Sequence, residues 1–230
     1  WIFDRDLKLA EGMIRNKFAK KPEIAEANIK VLNDGYNFGH NTHTSIAHTY
    51  RIESKGEKAK GLYMDINGNK ATAYGLIAAA EKAGMRLFLG SYPITPATDI
   101  LHELAKHKSL GVVTMQAEDE IAGCASAVGA AYAGALACTS TSGPGVCLKS
   151  EAINLAVITE LPLVIVNVQR GGPSTGLPTK SEQTDLLQAL YGRNGESPIP
   201  VIAASSPTDC FDAAFNACKI AVEHMTPVIL

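Results

Sequence analysis

From residue 69 onward, short apolar runs alternate with segments of helical periodicity. The runs have the length of strands and lie at 86–89, 111–115, 135–139, 163–168, 201–203 and 228–230. The helical patterns lie near 70–84, 98–107, 118–133, 146–159, 181–191 and 207–223. This alternation predicts a doubly wound α/β fold, with a mainly parallel sheet and helices on both faces. Ligands bind beyond the carboxyl ends of the strands in such sheets, so we expect the site in the loops that follow them.

The first part of the chain has a different pattern. Residues 1–38 carry two apolar stripes of helical spacing, which are separated at Lys20-Lys21-Pro22. Residues 39–67 are polar and lack periodicity, which favours a linker. His40 and His43 form an HxxH pair there, but without a nearby carboxylate or cysteine cluster they are better explained as linker histidines than as metal ligands. We therefore expect a helical segment at 1–38, a linker at 39–67 and a domain at 68–230.

Composition narrows the class of protein. Hydrophobic residues make up 46% and charged residues 19% of the chain, which favours a soluble globular protein with a large core. The net charge of −2 gives no reason to expect nucleic acid or a membrane surface as a partner. The five cysteines include no CxxC pair, so buried free thiols in a reducing cytoplasm are favoured over a metal site. The chain starts at Trp1 and stops inside an apolar run, so we expect a piece truncated at both ends.

Two of the loops that follow strands carry candidate chemistry. Thr95 stands between two prolines in a stiff turn, which either displays it to a ligand or merely starts the next helix. Glu118, Asp119 and Glu120 open a helix that is built almost entirely from small residues. The three acids can simply complement the helix dipole, or one of them can be a catalytic group at a tight interface. The local pattern leaves both alternatives open.

The next two loops are rich in glycine and proline. The turn at 142–145 combines a small hydroxyl with two glycines, which suits either a close ligand or an ordinary tight turn. The loop at 169–180 lacks the lysine of a phosphate-binding motif, but Arg170 at its start is suited to clamp a carboxylate unless it is a surface arginine. Together the four loops predict a site for a small carboxylate beside a buried acid, without a metal site of its own.

Four motifs, taken in order, carry a resemblance to a known family. They are YPITP at 92–96, QAEDEIAG at 116–123, TSGPG at 141–145 and QRGGPSTGLPT at 169–179. The set resembles the alpha subunits of 2-oxoacid:ferredoxin oxidoreductases, and it is most similar to those of the 2-oxoglutarate enzymes. The resemblance covers residues 68–230, which correspond to the pyrimidine-binding domain of thiamine-diphosphate enzymes. Residues 1–38 resemble the tail of the gamma-type domain that precedes it in this subunit.

The resemblance implies roles for individual residues. Glu120 would be the catalytic glutamate that bonds the aminopyrimidine ring; its spacing to Gly129 and to the turn at 142–145 favours it over Glu118. The implied cofactor-binding residues are Tyr92, Pro93, Ile94, Glu120, Ser142 and Gly143. The implied substrate-binding residues are Thr95 and Arg170 for the 2-oxoacid carboxylate, and Thr179 and Lys180 for the far end of the substrate.

The resemblance also implies an activity and partners. Members of this family carry out the CoA-dependent oxidative decarboxylation of a 2-oxoacid, here 2-oxoglutarate to succinyl-CoA, and pass the electrons to ferredoxin. A separate beta subunit would hold the diphosphate, its Mg²⁺ and a 4Fe-4S cluster, in a dimer of heterodimers. The alternatives are a pyruvate or branched-chain 2-oxoacid enzyme, or a non-catalytic binding or assembly domain on the same fold.

Overall fold

A computed structural model describes residues 1–42, 49–51 and 60–230 of the chain. These residues form two units, Trp1–Leu62 and Tyr63–Leu230. Residues 43–48 and 52–59 of the predicted linker, including His43, lie outside the described residues. In the described part, none of the helices has the length and apolar character needed to cross a membrane.

The first unit contains the two helices that the sequence predicts. Helix α1 spans Lys8–Lys17 and helix α2 spans Pro22–Thr42. Proline is favoured in a first helical turn because its missing N–H has no partner to lose there. The predicted boundary at residue 38 is wrong, because α2 continues through Thr42 and places His40 in its last turn rather than in a linker.

The second unit is built on a five-stranded parallel sheet. The strands are β1 (Leu87–Ser91), β2 (Val113–Gln116), β3 (Leu136–Thr141), β4 (Leu163–Asn167) and β5 (Pro227–Ile229). Their order across the sheet is β2-β1-β3-β4-β5, and every neighbouring pair is parallel. The chain adds β2 on one side of β1 and then β3, β4 and β5 on the other side, so the strand order has a switch point between β1 and β3. Open α/β sheets bind ligands at such a switch point.

Six helices cover both faces of this sheet, as the sequence predicts. They are α3 (Gly68–Ala83), α4 (Thr98–Leu104), α5 (Glu120–Tyr132), α6 (Gly143–Ile158), α7 (Leu186–Tyr191) and α8 (Asp209–His224). One apolar core lies between the sheet and α3, α4 and α8, and the other lies between the sheet and α5, α6 and α7. The helices after β1 and β3 therefore leave on opposite faces, which opens the crevice between these two strands.

Two predicted elements differ in the structure. The strand predicted at 201–203 is wrong: Val201 forms an isolated bridge to Ile229, in which the Ile202 amide donates to the Ile229 carbonyl at 2.8 Å, and the pairing ends before Ala203, which is exposed. Pro200 contributes to this, because it lacks the N–H that a paired strand donates. The helix predicted at 181–191 begins only at Leu186, because the Glu182 carboxylate accepts a hydrogen bond from the Gly172 amide (3.0 Å) and belongs to the preceding loop.

Candidate functional site

The structure separates the three acids at the start of α5. Glu118 and Asp119 are exposed, whereas Glu120 is only 8% exposed. Asp119 is the N-cap residue, and its side chain accepts a hydrogen bond from the Ala122 amide at 2.8 Å. In the described part of the chain, no group donates a hydrogen bond to the Glu120 carboxylate. Glu120 also lies in the first turn of α5, where an acid suits the helix dipole, but its burial distinguishes it from Glu118 and Asp119.

Glu120 lies against the turn that follows β3. A Cβ at Gly145 would lie 2.9 Å from Cγ of Glu120 and would overlap Oγ1 of Thr141. Glycine at this position therefore lets the start of α6 approach the acid and the end of β3 closely. Gly145 is buried in the first turn of α6, so this contact forms part of the floor of the crevice.

Ser142 supplies an unsatisfied polar group in the same turn. It is the N-cap residue of α6, but its hydroxyl caps no amide, is fully buried and has no hydrogen-bond partner among the described residues. Gly143 follows it and faces the Asp185 carboxylate, whose Oδ2 would lie 2.8 Å from a Cβ at that position. Buried hydroxyls are normally bonded. The unpaired Ser142 hydroxyl therefore favours a ligand here over an ordinary tight turn.

Arg170 joins the loop after β4 to the loop after β1. Its side chain donates to the Thr95 carbonyl through Nη1 (2.6 Å) and to the Thr175 carbonyl through Nη2 (2.9 Å). Arg170 is 7% exposed, so the alternative of a surface arginine is wrong. Its Nε is buried and has no partner in the described part of the chain. The guanidinium therefore positions two loops and still has an unused donor for a ligand.

The other predicted binding residues lie nearer the surface. Thr95 and Tyr92 are exposed, and Pro93 and Ile94 are half-buried. Thr179 and Lys180 are exposed in a loop that closes on itself, since the Gly171 amide donates to the Lys180 carbonyl at 2.8 Å. The structure thus brings Glu120 and the turn at 142–145 together and ties Arg170 to Thr95. Among the described residues, it shows no contact of the Thr179 or Lys180 side chains with these groups.

Lys149 is a buried polar residue that the motif-based prediction missed. It lies on α6, is 0% exposed, and donates from Nζ to Oγ1 of Thr139 at 2.6 Å. Burial lowers the pKa of its ammonium, while the nearby Cys124 and Glu120 raise it. The sequence contained a signal for this residue: Lys149 interrupts the apolar stripe of α6 at helical spacing from buried residues on either side.

The cysteines follow the prediction of buried thiols only in part. Cys124, Cys138 and Cys218 are buried, and burial raises the pKa of Cys124 to about 11 and that of Cys218 to about 12. Cys210 is half-buried and Cys147 is exposed, so the prediction is wrong for these two. Cys147 lies on the outer side of α6, where its sulfur accepts a hydrogen bond from Nε2 of Gln188 at 2.8 Å.

Close packing on β1 explains some of the small residues of α5, but not all of them. Gly90 of β1 faces the Gly123 carbonyl and the Ser126 hydroxyl, and a Cβ at Gly123 would lie 3.2 Å from Cα of Ser91. The inner side of α5 is therefore small because it packs directly on β1. Gly129 points the other way, and a Cβ at this position would have none of the described atoms within 4 Å. An interface with another subunit is thus relevant only to the outer side of the helix.

Comparisons with known proteins identify the family. Residues 78–230 match the family described as "Pyruvate flavodoxin/ferredoxin oxidoreductase, thiamine diP-bdg". The 2-oxoglutarate oxidoreductase subunit KorA of Mycobacterium tuberculosis is 60% identical over 230 residues, which are 100% of this chain and 35% of the relative. The 2-oxoglutarate synthase subunit KorA of Archaeoglobus fulgidus is 47% identical over 166 residues, which are 72% of this chain and 46% of the relative.

A solved structure is similar over almost the whole chain. The 2-oxoglutarate:ferredoxin oxidoreductase from Magnetococcus marinus, with 2-oxoglutarate, coenzyme A and succinyl-CoA bound, superimposes with a TM-score of 0.75 at 36% identity. The match covers 99% of this chain and 39% of that one. The chain therefore spans between about a third and a half of the length of these relatives. It belongs to the thiamine-diphosphate-binding family of pyruvate flavodoxin/ferredoxin oxidoreductases, which confirms the resemblance found in its motifs.

Proposed function

We propose that this chain is part of the alpha subunit of a 2-oxoglutarate:ferredoxin oxidoreductase. The reaction is the CoA-dependent oxidative decarboxylation of 2-oxoglutarate to succinyl-CoA, with the electrons passed to ferredoxin. The support is that similar proteins from two organisms are named for 2-oxoglutarate and that the similar solved structure holds 2-oxoglutarate and succinyl-CoA. The observation on which the proposal depends most is that Glu120 is 8% exposed and lies against Gly145 in the turn after β3, beside the switch point of the sheet.

The residues at the switch point fit the pyrimidine end of thiamine diphosphate. The Ser142 hydroxyl is buried without a partner in the described part of the chain, and Gly145 lets the start of α6 lie closer to Glu120 than a residue with a Cβ would allow. Bound thiamine diphosphate supplies the chemistry that breaks the bond next to the keto group. Glu120 would hold and release a proton at the aminopyrimidine nitrogen, as a general acid and base. The remaining residues proposed to line the cofactor are Tyr92, Pro93, Ile94, Ser142 and Gly143.

The substrate carboxylate would bind at Arg170 and Thr95. Arginine forms strong charge-assisted bonds with carboxylates, and Nε of Arg170 is buried and unpartnered among the described residues. Thr179 and Lys180 are proposed to reach the second carboxylate of 2-oxoglutarate. Both are exposed at the end of the loop that Arg170 anchors, and a cation in this loop would favour a dicarboxylate over pyruvate.

The rest of the reaction requires partners. We propose a beta subunit that holds the diphosphate with its Mg²⁺ and a 4Fe-4S cluster, a dimer of such heterodimers, CoA as the second substrate and ferredoxin as the electron acceptor. The subunit designation of the relatives supports a multi-subunit enzyme. The free thiols of all five cysteines support a reducing, cytoplasmic location.

Glu120→Gln in the complete complex tests the proposal. The amide cannot exchange a proton as the carboxyl does, so kcat should fall by about 100-fold or more. Glu118→Gln is the matched control, since it removes a neighbouring exposed acid and should leave kcat within about twofold. A complex that keeps full activity with Glu120→Gln would instead support a non-catalytic domain on this fold.

The choice of substrate has its own test. The complete complex is assayed with 2-oxoglutarate, pyruvate and branched-chain 2-oxoacids, and the values of kcat/KM are compared. Arg170→Ala should raise KM for every 2-oxoacid, because all of them carry the carboxylate that it would bind. Lys180→Met should raise KM for 2-oxoglutarate alone. A higher kcat/KM for pyruvate would overturn the assignment to 2-oxoglutarate.

A further inference from the structure

Asp185 lies where three elements of the second unit meet. It is the N-cap residue of α7, yet its side chain caps no amide of that helix. Its Oδ2 instead accepts a hydrogen bond from Nδ2 of Asn167, the last residue of β4, at 3.2 Å. The carboxylate also lies against Gly143, the first residue of α6, because a Cβ at Gly143 would be 2.8 Å from Oδ2 and 3.1 Å from Oδ1. The side chain of Asp185 therefore contacts β4 and α6 rather than its own helix.

The hydrogen bond between Asn167 and Asp185 closes the base of the loop after β4. These two residues stand on either side of the segment that carries Arg170 and Lys180. Further up the loop, the Gly171 amide donates to the Lys180 carbonyl at 2.8 Å, so the loop is closed at two levels. The loop proposed to bind the substrate and the turn proposed to bind the cofactor therefore meet at one carboxylate.

The turn beside Asp185 contains the unpaired hydroxyl of Ser142. This hydroxyl caps no amide of α6 and has no hydrogen-bond partner among the described residues, so it does not fix the turn by itself. The Asp185 carboxylate lies against the next residue, Gly143, at the N-terminal end of α6. An acid is favourable at this end of a helix because the helix dipole is positive there. Packing and electrostatics thus both favour the carboxylate beside the turn.

We propose that Asp185 is a positioning residue for the turn of Ser142 and Gly143. This inference rests on the proposed function, in which these two residues line thiamine diphosphate. The carboxylate packs on Gly143, and the hydrogen bond from Asn167 holds the carboxylate in place. The cofactor then binds a turn that is already ordered, so less of its interaction energy is used for ordering the turn.

The test measures the Kd of thiamine diphosphate for the cofactor-free complete complex by calorimetry. Asp185→Ala removes the carboxylate and should raise Kd by about tenfold. Asp185→Asn keeps the size of the side chain and an oxygen that can accept from Asn167, so its Kd should stay within about threefold of the wild type. Asp212→Ala, which removes an exposed acid from α8, is the matched control and should leave Kd unchanged.

A double-mutant cycle tests the contact itself. Gly143→Ala adds a Cβ 2.8 Å from Oδ2 of Asp185, so it should displace the carboxylate or the turn and raise Kd by about tenfold. In the double variant, Asp185→Ala gives the added methyl group room. If the two residues act through one contact, the double variant should bind the cofactor no more weakly than Gly143→Ala alone. Losses that simply add would show that the two residues act independently, and would overturn the inference.

Other outcomes also decide against the inference. A purely structural role would lower Tm of Asp185→Ala and leave Kd unchanged. An equal loss in Asp185→Asn and Asp185→Ala would contradict positioning by packing, since asparagine keeps the contact with Gly143. If Asp185→Ala does not fold, Asn167→Ala removes only the group that holds the carboxylate. This variant should raise Kd by about threefold, and an unchanged Kd overturns the inference.

The two proposals fail in different ways. If the wild-type complex does not bind thiamine diphosphate or does not turn over any 2-oxoacid, the proposed function is wrong. If the wild type is active, Glu120→Gln is inactive and the Asp185 variants bind the cofactor as the wild type does, only the role of Asp185 is wrong.

Discussion

The helices on the two faces of the sheet differ in how much they expose their large apolar side chains. On the face formed by α3, α4 and α8, the helices bury these side chains or leave them half-buried. On the face formed by α5, α6 and α7, several are exposed: Ile121, Tyr132, Leu148, Leu155, Ile158, Leu186, Leu187 and Tyr191. Exposed apolar patches mark surfaces that bind partners. Since Glu120 also starts α5, the face that carries the acid is the one that a second subunit would cover.

The closest glycine contacts on the two faces involve different kinds of residue. Gly75 lets α3 contact α8 closely, as a Cβ there would lie 2.9 Å from that of Ala214. Gly145 has a similar role on the other face, but its neighbours are Glu120 and Thr141. The same type of residue thus serves helix packing on one face and the candidate site on the other.

Gly145→Ala tests the comparison with the largest expected effect. The added methyl group would overlap the Thr141 hydroxyl and press on Glu120, so the acid should move. We expect kcat of the complete complex to fall by about 100-fold, because small displacements of catalytic groups are costly. Gly12→Ala, in α1, is the control, because a Cβ there would have none of the described atoms within 4 Å; this variant should keep its activity with equal or higher Tm. Full activity of Gly145→Ala would mean that Glu120 tolerates displacement.

Charged substitutions on the outer surface should break the proposed association. Ile158→Lys and Leu187→Lys each replace an exposed apolar side chain on the face formed by α5, α6 and α7. We expect each to weaken binding of the beta subunit by about tenfold, measured by sedimentation of the complex. Asn216→Lys adds the same charge at an exposed position of α8 and should have no effect. If Asn216→Lys weakened binding as much as the other two variants, the two faces would not differ in their role in subunit association.

Gly75→Ala should affect stability alone. Its Cβ would overlap the Phe211 carbonyl and crowd Ala214, and overpacking of this kind costs about 1–3 kcal/mol. Urea unfolding should show this loss, while KM for the 2-oxoacid stays the same in the folded complex. A changed KM at unchanged stability would show that the α3–α8 contact also shapes the site.

Glu103→Gln should have the smallest effect on stability, and this effect should depend on pH. The hydrogen bond from Lys106, with others from Tyr74 and His107, lowers the pKa of Glu103 to about 2 from 4.5. A lowered pKa stabilises the fold above the unfolded value, and this contribution is lost as pH falls through the folded value. The variant should therefore lose ~1 kcal/mol at pH 7, since Lys106 is largely exposed. The difference in Tm from the wild type should shrink from about pH 4.5 to about pH 2.

An exposed acid provides the control for that measurement. Glu223 pairs with Lys219 at 3.9 Å on the surface of α8. Glu223→Gln should leave both Tm and its pH dependence close to those of the wild type, because exposed ion pairs contribute little. If Glu103→Gln behaves in the same way, the hydrogen bonds to Glu103 do not stabilise this face.

The sequence predicted the fold well because its signals are local and periodic. The apolar runs and helical stripes indicated five of the strands and all six helices of the larger unit. The failed strand at 201–203 is only three residues long, and its pairing with Ile229 depends on the rest of the sheet. The order of the strands, and with it the switch point between β1 and β3, could not be read from periodicity because pairing is a long-range property.

The motifs named candidate site residues, but they could not indicate the contacts between them. The motifs pointed to Glu120 rather than Glu118, and burial separates the same two residues. Nothing in the sequence indicated that Arg170 would bond two backbone carbonyls, because side-chain orientation follows from how the loops fold. Lys149 was missed for a different reason: it lies inside a helix, whereas this fold class predicts ligands at the loops that follow the strands.

The two hydrogen bonds of Arg170 order the loops after β1 and β4 during folding, before any ligand binds. Thr95 and Thr175 are far apart in the chain, and the guanidinium joins their carbonyls within a buried site. Closing so long a segment costs conformational entropy, and this cost is included in folding rather than in binding. If a 2-oxoacid binds at Nε as proposed, it meets loops that are already fixed, and more of its interaction energy is available as affinity.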